Sequence, residues 1–433
     1  MTIDARVEGA RSPATVLNAA CQCIWLDRDS LRRQLERNLG GTGDLLESRP
    51  GLVSGSVAFV DQHHAAAMEH AIVLVQRALS SQTYVRLAEQ HAPAIARLGK
   101  PSPGGLLGMD FHLGDTYPQL IEINTNPGGL LVNLEIAQAV TGCCDQVAEP
   151  LPRLAAGSVS LANLPERLRE SFREEWTSVR GDAPLRSIAI VDDDPAGQYL
   201  YPEFLLYQRL FERAGWRSPI VDAGGLETRG DGLFADGEPI DLVYNRVTDF
   251  YLAAQNHAAL RRAYEGDLAV ITPHPAAHAR WADKRLLAWL RDESLLGEAG
   301  LDADERAHLL HTIPPTEIVD RNAADELWRR RKELFFKPVD GYGGKAAYRG
   351  DKLTRSTFEH ILSNRYVAQA IAPTSMRSVV ADGQEAELRV DIRNYCSQGE
   401  VWLRAARLYR GQTTNFRTKG GGFAPALTLP GKA

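Results

Sequence analysis

Helical and strand periods alternate along this chain, and the points where one gives way to the other divide it into regions. In DQHHAAAMEHAIVLVQRAL (61–79) apolar side chains recur every three to four positions, which predicts a helix with one buried face. The same period runs through LDRDSLRRQLERNL (26–39), closed by Gly40-Gly41, and through YVRLAEQHAPAIARL (84–98), stopped by KPSPGG. The pattern then shifts to a period near two in LLGMDFHLGDTYPQLIEINTNPGGLL (106–131). That predicts a strand carrying Asp110, a turn at Gly114-Asp115, and a strand carrying Glu122 and Asn124. Asn126-Pro-Gly-Gly breaks the second strand before the helical run LLVNLEIAQAV.

Residues 151–185 read as a polar helical connector. Beyond them a βαβ pattern begins: a strand at 188–191, an acidic loop, a helix at about 201–214, Gly215, and a strand at 219–222. Runs at 241–247 and 268–273 would complete a small, mainly parallel sheet. The amphipathic NAADELWRRRKELFF then feeds a strand ending at Lys337, YVAQAIAP (366–373) gives a short apolar strand, and residues 387–427 alternate strand and turn. The fold class is therefore α/β (α+β).

Composition narrows the function classes. With 433 residues, the chain has room for two to four structural units. Its net charge of −6 comes from mixed signs with no basic stripe, which argues against a nucleic-acid partner. No apolar run approaches a membrane span, and the N-terminus lacks the apolar core of a signal peptide. The five cysteines (Cys21, Cys23, Cys143, Cys144, Cys396) show no CxxC spacing and read as reduced thiols, a four-thiolate zinc site being the weaker alternative. A cytoplasmic protein is expected. His64 and His70 are six apart and share no helical face, so the histidines of 63–70 read as surface or packing residues.

Candidate chemistry is densest at LFFKPVDGYGGKAAYRG (334–350). Lys337 closes an apolar strand, and a buried ammonium needs an anion. The loop around Gly341, Gly343 and Gly344 can turn backbone N–H groups toward such an anion. A hairpin turn with Lys337 reaching to water fits the same residues. The loop matches neither GxxxxGK[ST] nor GxGxxG. Asp110, Glu122 and Asn124 form an all-oxygen set suited to Mg²⁺, unless they are a solvated strand face. Arg389, Arg393, Arg404 and Arg407 occupy two adjacent strands ahead of Asn415 and Gly420-Gly421-Gly422, an arrangement suited to phosphate or carboxylate. Asp192-Asp193-Asp194 at a strand end could hold an amine or a metal, or cap a helix.

Together these motifs resemble the ATP-grasp superfamily. KPVDGYGG resembles the phosphate loop of prokaryotic glutathione synthetases. DIRNYCSQGEVWLRAARL with TTNFRTKGGG resembles a segment of those enzymes and of ribosomal-protein glutamate ligases. Asp110 with Glu122-Ile-Asn124 resembles their Mg²⁺ motif, but it comes early in the chain rather than after the Asn…Gly-Gly segment. Circular permutation, as in glutathionylspermidine synthetases, accounts for that order.

The resemblance implies a permuted ATP-grasp fold with a small Rossmann-like domain ahead of the lysines. Its units would be an N-terminal extension (1–60), a permuted part of the C-terminal subdomain (61–150), the connector (151–185), a substrate domain (186–275), an N-terminal subdomain (276–365) and the C-terminal subdomain (366–433). It implies ATP and Mg²⁺, with Lys284 and Lys337 on the phosphates, the glycine loop over them and Gln369 by the adenine. Asp110, Glu122 and Asn124 would hold metal, and Arg393, Arg407 and Asn415 would steady the γ-phosphate and an acyl phosphate. The implied activity joins a small-molecule or peptide carboxylate to an amine. A non-catalytic nucleotide binder and a phosphotransferase acting on a hydroxyl are the alternatives.

Overall fold

Three sheets carry the architecture of the computed structural model, which describes residues 12–40, 48–114, 116–341, 344, 346–381 and 383–430. The largest has seven strands and draws on both ends of the chain. Its order is Ala58–Asp61, Gly422–Leu429, Glu400–Tyr409, Gln384–Ser397, Leu107–Leu113 and Pro118–Asn124, with Ser375–Ala381 also pairing Gln384–Ser397. The first pairing is parallel and the others antiparallel. Ala58–Asp61 thus crosses the expected boundary at residue 60 and is a strand of this sheet.

Strand alternation gives the sheet two unlike faces. Leu388, Val390, Ile392, Ala406 and Leu408 pack with Met68, Ile72 and Val75 of helix Gln62–Ser80. Arg404 turns away from the cleft described below. It is 2% exposed and donates to Glu69, Asn394 and Thr428, so it stands apart from the other three arginines grouped with it in sequence. Arg389, Asp391, Arg393, Arg407 and Tyr409 line the opposite face, which turns to the cleft.

The small antiparallel sheet is ordered Thr316–Ile318, Tyr366–Ala370, Leu334–Pro338 and Tyr348–Arg349. Phe336, Leu334 and Ala368 pack on Phe358 and Ile361 of helix Arg355–Leu362 and on Leu327. Fully burying one such phenylalanine contributes about 2–3 kcal/mol. Lys337 follows Phe336 and so falls on the other side, toward the large sheet.

The four-stranded parallel sheet runs Val270–Thr272, Leu242–Asn245, Ile188–Asp192 and Ile220–Asp222, as the βαβ pattern predicts. Residues 151–185 do more than connect. Helix Leu164–Arg180 buries Leu168, Phe172 and Trp176 in a core shared with the parallel sheet and the large sheet. The helix expected over 84–98 is instead Gln82–His91 followed by a short 3₁₀ turn, Ala94–Arg97. Pro93 has no N–H to continue the ladder and forces the break.

The loop Asn126–Gly129 ties the two sheets together. Gly129 has φ +99, and a Cβ there would lie 2.3 Å from the Phe423 ring, so only glycine fits. Its N–H and that of Leu131 donate to the fully buried Glu203 of helix Tyr201–Arg213. Burial raises the Glu203 pKa, opposed by Arg246 and by these amide hydrogen bonds.

Candidate active site

The polar face of the large sheet, the small antiparallel sheet and the strand ends of the parallel sheet enclose a cleft of about 440 Å³. Lys284, Lys337, Glu122, Asn124, Gln369, Arg393 and Arg407 line it, with Gly341 and Gly344 at its rim. Gly344 has φ +70 and sits against Thr413, so the glycine loop meets the 412–414 loop across the cleft. Gly343 lies outside the described residues.

The two lysines arrive from separate elements at one short stretch of strand. Lys284, just ahead of helix Arg285–Trp289, lies 3.2 Å from the Glu122 carboxylate and donates to the Gly341 carbonyl at 2.5 Å. Lys337 donates to the Ile121 carbonyl and to Gln369 Oε1, both at 2.8 Å. Gln369 is itself held by Thr316 Oγ1 at 3.1 Å. Burial depresses the Lys337 pKa to about 8, with Lys284 adding to the effect and Glu122 opposing it. An ammonium held this way gains from any incoming anion.

The arginines are organised by Asp110, which is fully buried. Arg393 makes a fork to it, with Nε on Oδ1 and Nη2 on Oδ2 at 2.7 Å each, and Arg407 adds a contact to Oδ2 at 2.8 Å. Burial alone would raise the Asp110 pKa, but the two guanidinium groups outweigh it and hold the carboxyl below its usual range. Asp391 accepts from Tyr409 at 2.8 Å and from Thr414, and lies 3.0 Å from His112 Nε2. These partners and Arg407 overcome its burial and hold it at about 2.

This geometry changes the reading of the oxygen set. Both Asp110 oxygens are committed to arginine, so it positions the cationic face rather than presenting a free ligand. Asn124 donates through Nδ2 to Asp110 at 3.2 Å, which leaves its Oδ1 as the acceptor available to the cleft. Glu122 already faces a cation, the Lys284 ammonium. Glu122 and Asn124 therefore fit a hard divalent ion that completes its shell with phosphate and water, and Asp110 does not.

Asn415 also departs from expectation. Its amide donates to the Arg410 and Thr413 carbonyls, and its Oδ1 accepts from Arg417 N and Thr418, so it braces its own loop. The neighbouring Gln412, Thr413 and Thr414 face the cleft instead. Sequence reasoning gave no role to His112, Tyr409 or Thr414. His112 and Tyr409 sit at the alternating positions of their strands that share the face of Asp110 and Arg407, a period-two signal that was available.

At the parallel sheet, the acidic loop splits its roles. Asp192 lines the cleft, and burial lifts its pKa to about 6 against the pull of Arg246. Asp193 faces away, bonding Asn256 and His257 Nε2 at 2.8 Å each, and Asp249 takes His257 Nδ1 at 2.9 Å. The Asp249 hydrogen bond, with help from Asp193 and against burial, raises the His257 pKa above its ordinary value. A raised histidine pKa stabilises fully below the unfolded value near 6.5, and the contribution fades as pH climbs through the folded value. The stability gap between wild type and His257→Asn should therefore be widest at pH 5.5–6 and shrink toward pH 8–9, read from denaturant midpoints. A gap that does not vary with pH would reject the charged clamp.

Among the described residues one further group of metal-type ligands occurs outside the cleft. Asp61, His63 and His64 bring ligand atoms within 4.8 Å of one another, with Asp61 and His64 buried and His63 exposed. Asp61 also accepts from Ala14 N at 3.0 Å. The cysteines are free thiols, Cys21 and Cys23 lying 3.4 Å apart. No described helix is long and apolar enough to cross a membrane.

The fold is similar to that of a glutathione synthetase-like protein. A glutathione synthetase-like effector of Globodera pallida, in its apo form, superposes over 93% of this chain and 98% of its own with a TM-score of 0.51 and 11% identity. A putative gamma-glutamylcysteine synthetase of Methylobacillus flagellatus covers 87% and 90%, with a TM-score of 0.48 and 12% identity. The ATP-grasp ligase PsnB, complexed with minimal precursor, Mg and ADP, covers 56% and 89%, with a TM-score of 0.29 and 16% identity. No protein-family profile and no curated protein sequence matches the chain.

Proposed function

We propose that the chain is an ATP-dependent carboxylate–amine ligase that forms an amide or peptide bond and releases ADP and phosphate. The observation that carries the reading is the meeting of Lys284 and Lys337 on the Ile121–Glu122 strand, opposite an arginine-rich sheet face, in one cleft. Such a locus suits a triphosphate with its divalent ion. Mg²⁺, held through Glu122 and Asn124, would supply charge neutralisation for the phosphates.

In this chemistry a substrate carboxylate oxygen bonds to the γ-phosphorus as the bond to ADP breaks. An amine then displaces phosphate from the acyl carbon and loses a proton. The arginines held by Asp110 would steady charge on the transferring group, while Lys337 and Lys284 keep the phosphates in place. No side-chain nucleophile is required. The Asp192 end of the cleft, at the strand ends of the parallel sheet, is the proposed entry for the acceptor. The proposed units keep the boundaries expected from sequence, except that residues 58–60 go with the large sheet. Strand Leu107–Leu113 pairs with Gln384–Ser397 from the far end of the chain, and Pro118–Asn124 extends the sheet beyond it, which supports a circularly permuted order.

ADP release measured over panels of carboxylates, with and without amines, tests the reading. Amine-dependent release is expected; hydroxyl-dependent release would mean a phosphotransferase, and no release a binder. Glu122→Gln should lower Mg²⁺-dependent turnover by about a hundredfold or more while the unfolding midpoint stays near wild type. Full activity in that variant would remove the metal assignment.

A further inference from the structure

Three of the five cysteines come together outside the cleft, where strand Ile24–Leu26 pairs with Val140–Gly142 in a short antiparallel ribbon. Ile24 stands opposite Gly142, so one step outward in the same register Cys23 faces Cys143. Cys143 N donates to the Cys23 carbonyl at 3.0 Å, which fixes that pairing. The side chains of such a pair lie on one side of the ribbon, with Cβ atoms about 5 Å apart. Cys21 precedes Cys23 by two positions on extended backbone, which turns it to the same side, and the two sulfurs lie 3.4 Å apart.

The backbone holds this arrangement in place. Cys21 N closes helix Pro13–Ala20 by donating to the Leu17 carbonyl at 2.8 Å, and Nη2 of the fully buried Arg377 donates to the Cys21 carbonyl at 2.6 Å. Cys21 is buried, while Cys23 and Cys143 are exposed. Cys23 is thus the middle thiol, bonded to both neighbours and open to a small reagent. The hydrogen bond shared with Cys21, then burial and Cys143, push the Cys23 thiol up to about 11, and these two thiols are the titratable groups acting on it.

We propose that Cys21, Cys23 and Cys143 form a reversible disulfide site, oxidised by hydrogen peroxide, in which Cys23 bonds first to Cys21 and then to Cys143. The site is independent of the ligase reading. In the first step the Cys23 thiolate attacks peroxide: an S–O bond forms, the O–O bond breaks, and hydroxide leaves with the thiol proton as water. The Cys21 thiolate then displaces hydroxide from that sulfenic acid, which makes the S–S bond and a second water. Two thiols have lost two electrons and the peroxide has gained them. Cys143 next attacks the Cys23 sulfur, and Cys21 departs as a thiolate that takes up the Cys143 proton. Each move is short, because a disulfide spans about 4 Å between Cβ atoms and about 2 Å between sulfurs.

The test treats the fully reduced chain with hydrogen peroxide and then alkylates the remaining thiols. Mass mapping reads the bridges, because tryptic peptide 12–28 carries Cys21 and Cys23 and peptide 98–153 carries Cys143 and Cys144. The expected bridge forms first within peptide 12–28 and then joins the two peptides, with dithiothreitol reversing both. The joined product should show a raised denaturant midpoint, since its bridge closes a long loop and the Cys21–Cys23 bridge does not. The rate should climb about tenfold per pH unit between pH 7 and 9, following the Cys23 thiolate. Cys143→Ser should keep the first bridge and lose the joined peptides, Cys144→Ser should change neither, and Cys23→Ser should form no bridge. All three positions are exposed, so serine leaves the fold intact. All five thiols still alkylated after excess peroxide, no joined peptides, or bridges formed as fast in Cys23→Ser would overturn the proposal. So would bridges that link separate chains instead.

Discussion

Lys337→Met should lower kcat/KM for ATP-dependent ADP release by about two to three orders of magnitude while leaving the fold intact. The methionine keeps the aliphatic stem beside Phe335, so stability should change by no more than about 1 kcal/mol. What is lost is a cation enclosed between the Ile121 carbonyl and Gln369 in a partly desolvated cleft, where a single charge–phosphate contact is worth far more than in water. The pH dependence sharpens the test. Lys337 is held at about 8, so below that pH it is an ammonium and above it the charge is shed. Wild-type KM for ATP should therefore rise as pH passes 8, and the Met variant should lack that limb. Near-wild-type kcat/KM in Lys337→Met, checked by coupled-enzyme kinetics, would detach the lysine from the phosphates.

The strands that hold this site were legible because their side chains alternate so plainly. Glu122 and Asn124 two apart, and Arg389, Asp391 and Arg393 two apart, fix which residues share a face before any partner strand is known. The βαβ unit was legible for the same reason, with apolar runs of strand length separated by one helix. Partnership was less visible, because it depends on contacts between distant parts of the chain. Alternation turns Arg404, three positions from Arg407, to the far face, but nothing local names its partner there, Glu69 of a helix more than 300 residues earlier. Nothing local shows that Asn415 spends its amide on its own loop, since a turn-bracing asparagine and a ligand-binding one share the same neighbours in sequence. The N-terminal segment offered no motif, yet Ala58–Asp61 completes the sheet edge. A four-residue strand of three apolar residues and an aspartate carries no information on which strand it joins.

Asp110 separates the two readings of that face most sharply, through stability rather than activity. If it positions arginines, Asp110→Asn leaves Arg393 and Arg407 buried beside a neutral amide, and losing one member of a buried ion-pair group costs about 3–5 kcal/mol. The denaturant midpoint should fall accordingly, with or without Mg²⁺ and nucleotide. Removing a partner as well should recover part of the loss, so Asp110→Asn/Arg393→Met should be less destabilised than the sum of the single variants. A free metal ligand at the cleft surface would behave otherwise: the variant would lose Mg²⁺ activation and keep its midpoint. Acid titration gives a second view of the same network. Asp110 and Asp391 both have depressed pKa values, Asp391 near 2, so their contribution is complete above the ordinary carboxylate range. It is lost as pH falls through the folded values. The stability difference between wild type and Asp110→Asn should therefore hold steady from pH 7 to about 5 and narrow below pH 4. A difference that instead widened in acid would mean that the guanidinium forks do not hold this carboxylate ionised.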